Sequence, residues 1–241
     1  MHITELRLQT ADVAQQKQFY VNELGFALLD EALNSITLAA GTTQLIFEQA
    51  EQTMKPFYHF AFNIPENQLA SAKAWLAERD VSLSQSHPDD WYSVSWNSHA
   101  MYFYDPAGNI VEFIARHNLH NGTAGTTFTA QDIVSASEIG LVVDDVVDTV
   151  RTLQATLGVE VYQDMVENFA PLGDEHGLFI VVKRDRTWLA SNKHCDVFPT
   201  AVTIQGHNEL HYNFPELPYA LHVVEAPKEE HEAFRTSSGN T

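Results

Sequence analysis

Three times along this chain an apolar-faced strand runs into an acidic residue that opens a helix, and this repeat constrains the fold more than any other feature. The first strand, Ile3 to Thr10, alternates: Leu6 and Leu8 lie on one face, Glu5, Arg7 and Gln9 on the other. Asp12 then caps a helix that Gly25 stops. The second strand, Phe57 to Ile64, meets Pro65-Glu66-Asn67 and a helix whose apolar side is Leu69, Ala72, Trp75 and Leu76. The third, Ser137 to Val143, meets Asp144-Asp145, a helix over Val146 to Leu157 and a stop at Gly158. After each helix come short strands: Phe26 to Leu29, Ser35 to Ala39 and Gln44 to Phe47 in the first unit, and Val81 to Ser84, Ser98 to Tyr104 and Asn109 to Ala115 in the second. The third continues with Val159 to Gln163 and a hairpin over Phe169 to Val182, and Ala201 to Ile204 and Tyr219 to Val224 follow as short strands. The order β-α-β-β-β thus occurs twice and begins a third time.

Aligning the three junctions on Asp12, Glu66 and Asp145 places Glu5, His59 and Glu138 seven residues upstream in each. Equivalent slots therefore hold side chains able to bind a metal or move a proton. The second unit closes on Tyr102-Phe103-Tyr104-Asp105-Pro106-Ala107-Gly108-Asn109-Ile110-Val111-Glu112-Phe113. Pro106 fixes one backbone angle of the turn and Gly108 supplies positive φ. On the returning strand Glu112 shares a face with Ile110 and Ile114. A carboxylate among apolar neighbours costs free energy unless it meets water, a partner or a metal. Arg116 continues the parity of Glu112 and is expected at the surface, where it could bind an anionic group.

The chain carries 32 acidic and 13 basic residues, a formal charge of −19, which disfavours nucleic acid and anionic membrane surfaces as partners. No apolar run is long enough to span a bilayer, and the opening residues lack the basic and apolar regions of a secretory leader, so a cytoplasmic protein is expected. The single Cys195 excludes an intrachain disulfide and a cysteine-rich metal site, and leaves a reactive thiol as a minor option.

A repeated β-α-β-β-β unit ending in Asp-Pro-Ala-Gly-Asn-Ile-Val-Glu-Phe resembles the vicinal oxygen chelate superfamily, which includes glyoxalase I, bleomycin and fosfomycin resistance proteins and extradiol dioxygenases. The resemblance covers residues 1 to about 117 and extends, diverged, to about 134–185. It implies an α+β fold in which tandem modules curl into a cup-shaped mixed sheet around a divalent metal, with ligands from first and last strands. Carried over to this sequence, it assigns His59 and Glu112 as metal ligands. Glu5 falls where the family more often has histidine or glutamine, and is expected as the third ligand and as the exchangeable base. The last-strand slot of the first module falls near Gln44, Leu45 or Ile46. The metal would be Fe²⁺, Mn²⁺, Ni²⁺ or Zn²⁺, although one histidine with two carboxylates departs from the two-histidine, one-carboxylate set of the dioxygenases.

On this reading residues 1–117 form a paired-module domain, 118–133 a linker rich in Gly, Thr and Asn, 134–226 a third module with a C-terminal extension, and 227–241 a disordered tail. Arg7, Gln9, Asn63, Trp96, His99 and Arg116 are candidates for touching substrate. The mostly apolar face of Glu138, Gly140 and Val142 is expected to pack against another element or subunit rather than around a metal. A third module cannot close a cup alone, so either the strands between Pro199 and Val224 complete it or a homodimer does. Two functions remain open: a metal-dependent dioxygenase, lyase or isomerase acting on a small oxygenated molecule, aromatic or not, and a non-catalytic binder of the bleomycin-resistance type, which Trp91, Tyr92 and Trp96 would suit.

Overall fold

The computed structural model of the chain describes residues 1–86, 88 and 90–226; the tail expected to be disordered lies outside the described residues. The first module is β1 (His2–Thr10), α1 (Val13–Lys17) continuing as a π-helical turn over Gln18–Glu23, β2 (Ala27–Ala32), β3 (Ser35–Ala40) and β4 (Thr43–Gln49). The second is β5 (His59–Ile64), α2 (Leu69–Ala77), β6 (Trp91–Ser93), β7 (Ser98–Tyr104) and β8 (Ile110–Arg116). The third is β9 (Ser135–Val143), α3 (Val146–Leu157), β10 (Phe169–Asp174) and β11 (Gly177–Lys183). A further half-module without a helix follows: β12 (Thr200–Gly206), β13 (Leu210–Asn213) and β14 (Tyr219–Glu225).

Two of the three expected caps form. The Asp12 carboxylate accepts from Gln15 N and that of Asp145 from Asp148 N, each at 2.9 Å, which satisfies otherwise orphaned first-turn donors. Glu66 does not cap: Gln68 occupies that position without a side-chain bond, and Glu66 instead faces His117 at 3.3 Å. The strands expected at Val81–Ser84 and Val159–Gln163 reduce to single bridges, Leu83 to Phe103 and Val161 to Leu172.

The modules do not pair in chain order. Two seven-stranded mixed sheets form, ordered β13-β14-β12-β1-β4-β3-β2 and β10-β11-β9-β5-β8-β7-β6. The first module therefore shares a sheet with the C-terminal half-module, and the second with the third. The expected pairing of the first two modules over 1–117 is not the one formed, and neither cup needs a second chain to complete its sheet. Each sheet is joined by antiparallel pairing of two first strands, β1 with β12 and β5 with β9.

The physical reason lies in the strands. β5 and β9 are buried along their whole length, whereas β1 alternates between buried and half-exposed positions. Strands apolar on both faces need cover on both sides, and β5 and β9 supply it to one another at the centre of one sheet. β1 belongs in a sheet with one wet face. The opposite faces of both sheets share a large core with the helices: Leu6, Leu8, Leu45 and Phe47 come from one, Phe60, Phe62 and Phe113 from the other. Phe26 and Phe62 meet across it at 5.9 Å between ring centres.

Asp105 ties this core together. Its buried carboxylate accepts from Gln16 Nε2 (3.1 Å), Tyr20 Oη (3.0 Å), Asn109 N (3.0 Å) and Asn109 Nδ2 (2.7 Å). Asn109 Oδ1 in turn accepts from Tyr58 N at 2.8 Å. The hairpin turn of the second module is thus bolted to the helix of the first, with Gly108 at φ +78° completing it. Truncating Asp105 strands three side-chain donors and one backbone donor in the core. Asp105→Ala is expected to lower stability by about 3 kcal/mol or more in urea unfolding; a loss below about 1 kcal/mol would show that the network carries little of the interdomain docking.

Candidate metal centre

The register of the second sheet determines which side chains meet. On β5, Ala61 lies between Glu112 of β8 on one side and Glu138 of β9 on the other. His59, two residues earlier, points to the same face. His59 Nε2 lies 3.6 Å from Glu112 Oε2 and 3.6 Å from Glu138 Oε2, and one donor atom from each of the three residues falls within 4.8 Å of the others. All three are buried. His59 Nδ1 lies 3.1 Å from the Ile110 carbonyl. A carbonyl can only accept, so Nδ1 carries a proton, and Nε2 is the nitrogen turned toward the two carboxylates, able to ligate a metal once deprotonated.

Two carboxylates this close in a dry site need positive charge. Arg116 supplies part of it. It is fully buried rather than at the surface, ion-pairs with Glu138 Oε1, and donates from Nε to Asn63 Oδ1 at 3.1 Å. Asn63 is held by its own bond to the Glu175 carbonyl at 2.9 Å. Burial, together with the charge of Glu138, pushes the Glu112 carboxyl up to about 8. Burial pulls the His59 imidazole down, but Glu138 and Glu112 outweigh it and the net shift is upward. Tyr102, opposite Glu112 on β7, is a hydrogen-bond partner of that carboxylate, and burial keeps its phenol protonated.

The four first- and last-strand positions explain why a donor set converges here and not in the other sheet. Glu138 takes the place in β9 that His59 takes in β5, and Gly140, two residues on, is paired with Ile180 of β11 as Ala61 is with Glu112. The slots are therefore His59, Glu112, Glu138 and Ile180: three donors and one apolar wall. In the first sheet the same register gives Glu5, Ile46, Ala201 and His222. Glu5, expected as third ligand and base, thus lies in the other cup, half-exposed and paired with Arg7 at 3.1 Å. Arg7 is also held by Glu48 at 2.5 Å and stays with Glu5 away from the His59 cluster. Glu138, expected to pack against another element, stands with His59 and Glu112.

Above the three donors lies a cavity of about 270 Å³. Its walls are aromatic and aliphatic: Trp91, Trp96, Phe169, Trp188, Ile114 and Ile180. Trp96 therefore sits where a substrate contact was expected. His99 does not; it lies on the opposite face of β7 and bonds His117 Nε2 at 2.8 Å. Asn63 supports Arg116 rather than lining the cavity. Trp188, not singled out by the sequence pattern, roofs the site, its ring centre 5.3 Å from that of His59. Gly140 makes room for it: a Cβ there would lie 2.3 Å from the indole. Cys195 is buried and its thiol pushed up to about 12 by burial, which removes it as a nucleophile. A larger depression of about 690 Å³ around Met1, Glu160 and His207 is more open and brings together no comparable donor set among the described residues.

Residues 2–113 match the family described as Glyoxalase/Bleomycin resistance protein/Dioxygenase superfamily. The match covers a little under half of the chain. The superfamily stretch supplies His59 and Glu112, whereas Glu138 lies beyond it. A candidate dioxygenase from Bacillus subtilis subsp. subtilis str. 168 shares the fold over 92% of this chain and 85% of its own, with a TM-score of 0.64 and 13% identity. An integron cassette protein from the mobile metagenome of the Halifax Harbour sewage outfall matches 47% of this chain and 97% of its own, at 25% identity and a TM-score of 0.41. Lactoylglutathione lyase from Agrobacterium tumefaciens matches 46% and 91%, at 17% identity and a TM-score of 0.41. No curated protein matches the sequence.

The donor set fits a divalent cation: an imidazole with Nε2 turned inward, and two carboxylates otherwise left crowded. Its titration gives a test. Glu112 and His59 both bind protons more tightly in the folded chain than in the unfolded one. The stability they contribute is present at low pH and lost as pH rises through their folded values. The chelated protein is therefore expected to lose thermal stability between about pH 5 and pH 8, and a bound divalent ion, competing with those protons, to reverse the trend. Melting curves with and without chelator check this; a chelated protein that gains stability over the same range would overturn the assignment of charge in the site.

Proposed function

We propose that this protein is a metal-dependent enzyme of the glyoxalase/dioxygenase type, acting on a small oxygenated molecule. The observation that supports it most is the convergence of His59, Glu112 and Glu138 at the floor of an aromatic-walled cavity. These three residues would hold the ion, Fe²⁺, Mn²⁺, Ni²⁺ or Zn²⁺. Once bound, it would supply Lewis-acid polarisation of vicinal oxygens on a substrate. The chain's own groups do the rest. Arg116 holds Glu138 by Oε1 and leaves Oε2 toward His59. Tyr102 orients Glu112 by donating its O–H to that carboxylate. Trp188 and Trp96 exclude water and position an apolar body. A carboxylate that exchanges off the ion could act as base, and Glu112, on the cavity floor, takes that role in place of Glu5.

A second reading rests on the same walls. Trp91, Trp96, Phe169 and Trp188 would serve equally in a protein that sequesters an aromatic compound without turning it over. Ligand affinity that a divalent ion leaves unchanged would favour this reading over the enzyme. No helix among the described residues is long and apolar enough to cross a membrane; a cytoplasmic setting remains part of the proposal, consistent with one buried thiol. A homodimer loses the reason given for it in the sequence, since each sheet is completed within the chain.

The test is metal content. Protein purified without chelator is expected to carry about one divalent ion per chain by elemental mass spectrometry. His59→Ala and Glu138→Ala are expected to lose it, and Glu5→Gln to keep it. Metal lost in Glu5→Gln but retained in Glu138→Ala would move the site to the other cup, and no metal in any variant after reconstitution would favour the sequestering reading.

A further inference from the structure

The floor of the cavity is acidic, but its roof is not. The end of β11 and the loop to β12 carry Lys183, Arg184, Arg186 and Lys193, four of the 13 basic residues in a chain of charge −19. Arg184 is paired with Asp144 at 3.0 Å, and Lys193 is committed to the Gly108 carbonyl and lies over the Phe57 ring. Arg186 differs. It lines the cavity, its guanidinium sits over the Phe169 ring at 4.9 Å, and among the described residues its one side-chain hydrogen bond is a long one, 3.4 Å from Nη1 to the Asn168 carbonyl. Among the described residues no carboxylate pairs with it, although the chain has 32 to offer. Its backbone is firmly placed: the Arg186 carbonyl accepts from Cys195 N at 2.6 Å, and Trp188 N donates to the Lys193 carbonyl at 2.9 Å. The loop is thus braced across its neck where Arg186 and Trp188 enter the site.

A guanidinium fork resting on an aromatic face, in the wall of an apolar cavity and without an acid partner, is a receptor for a carboxylate. In so acidic a molecule this stretch carries a local excess of positive charge, four basic residues against Asp185 and Asp196, which favours the approach of an anion. The volume limits the rest of the ligand. About 270 Å³ lies just below the range of roughly 300–1,000 Å³ usual for ligand sites, which suits one ring and its substituents rather than a peptide conjugate. We infer that the ligand is a single-ring aromatic acid, its ring between Trp96, Phe169 and Trp188 and its carboxylate on Arg186. Only the orientation of its oxygen substituents toward His59, Glu112 and Glu138 rests on the metal reading above; the anion contact does not.

The experiment measures tryptophan-fluorescence quenching by 3,4-dihydroxybenzoate and by 3,4-dihydroxybenzamide, in chelator and again with Mn²⁺. With chelator present, the acid is expected to bind the wild-type chain about tenfold more tightly than the amide, a difference of about 1.4 kcal/mol. Arg186→Met is expected to abolish that preference and leave the affinity for the amide unchanged, and Arg184→Met to preserve it. Equal affinity for acid and amide, a preference that survives Arg186→Met, or no binding of either compound overturns the inference. Mn²⁺ is read separately. If it tightens both compounds, the metal reading holds as well; if it changes neither while the acid preference persists, the Arg186 contact stands and the metal reading falls.

Discussion

The pairing of β5 with β9 is the contact on which the site depends. It places Glu138 beside Ala61 and so beside His59 and Glu112. Without it the second module holds one histidine and one carboxylate, too few to bind a cation firmly. With it, two carboxylates share a water-poor space and must be compensated, since breaking up a buried charge cluster is costly. Arg116 does this from the far end of β8, and Asn63 from the far end of β5, so the strands that bring the charges together also carry their counterweights. The other sheet repeats the topology without the chemistry: its equivalent slots hold Glu5, Ile46, Ala201 and His222. One architecture thus makes two cups, and side chains at four positions decide which can hold an ion.

Buried acids in this chain divide by what surrounds them. Asp105 is as deeply buried as Glu112, yet four donors from three residues close around its carboxylate. Its carboxylate is part of the joint between modules. Glu112 has Tyr102 on one side and the cavity on the other, with Glu138 near enough to raise its proton affinity. Burial alone does not distinguish the two; the direction of the unsatisfied oxygen does.

Much of this was legible in the sequence, and the failures have a common cause. Strand periodicity located β1, β5, β8 and β9, the Asp-Pro-Ala-Gly turn located the hairpin and Glu112 on its returning strand, and residue spacing put Glu5, His59 and Glu138 in equivalent slots. What local pattern does not encode is which edge each strand offers to which partner. Pairing the modules in chain order made Glu5 the natural third donor and left Glu138 on a face that looked like packing surface. That face is indeed apolar, but its glycine receives the Trp188 indole and its neighbours wall a cavity. A signal was present: Phe60-Ala61-Phe62 and Ile139-Gly140-Leu141-Val142-Val143 are apolar on both faces, whereas Ile3 to Thr10 alternates. Strands of the first kind seek each other. Arg116 was misjudged for a related reason. An arginine at the end of a strand is usually wet, and only the β5–β9 pairing covers it.

Floor and roof of the cavity are built to different rules. The floor is set by register: moving Glu112 or Glu138 by one residue would turn it to the opposite face and into the core. The roof is one loop, braced by a few backbone bonds and docked by Trp188 into the space that Gly140 leaves empty. Substitutions at its outward positions, unlike those at the buried Trp188, Ala190 and Cys195, cost little stability. Arg186 and Leu189 can therefore change without disturbing His59, Glu112 or Glu138. In this fold the sheet fixes what chemistry the site can support, and the residues between β11 and β12 decide which molecule is admitted to it.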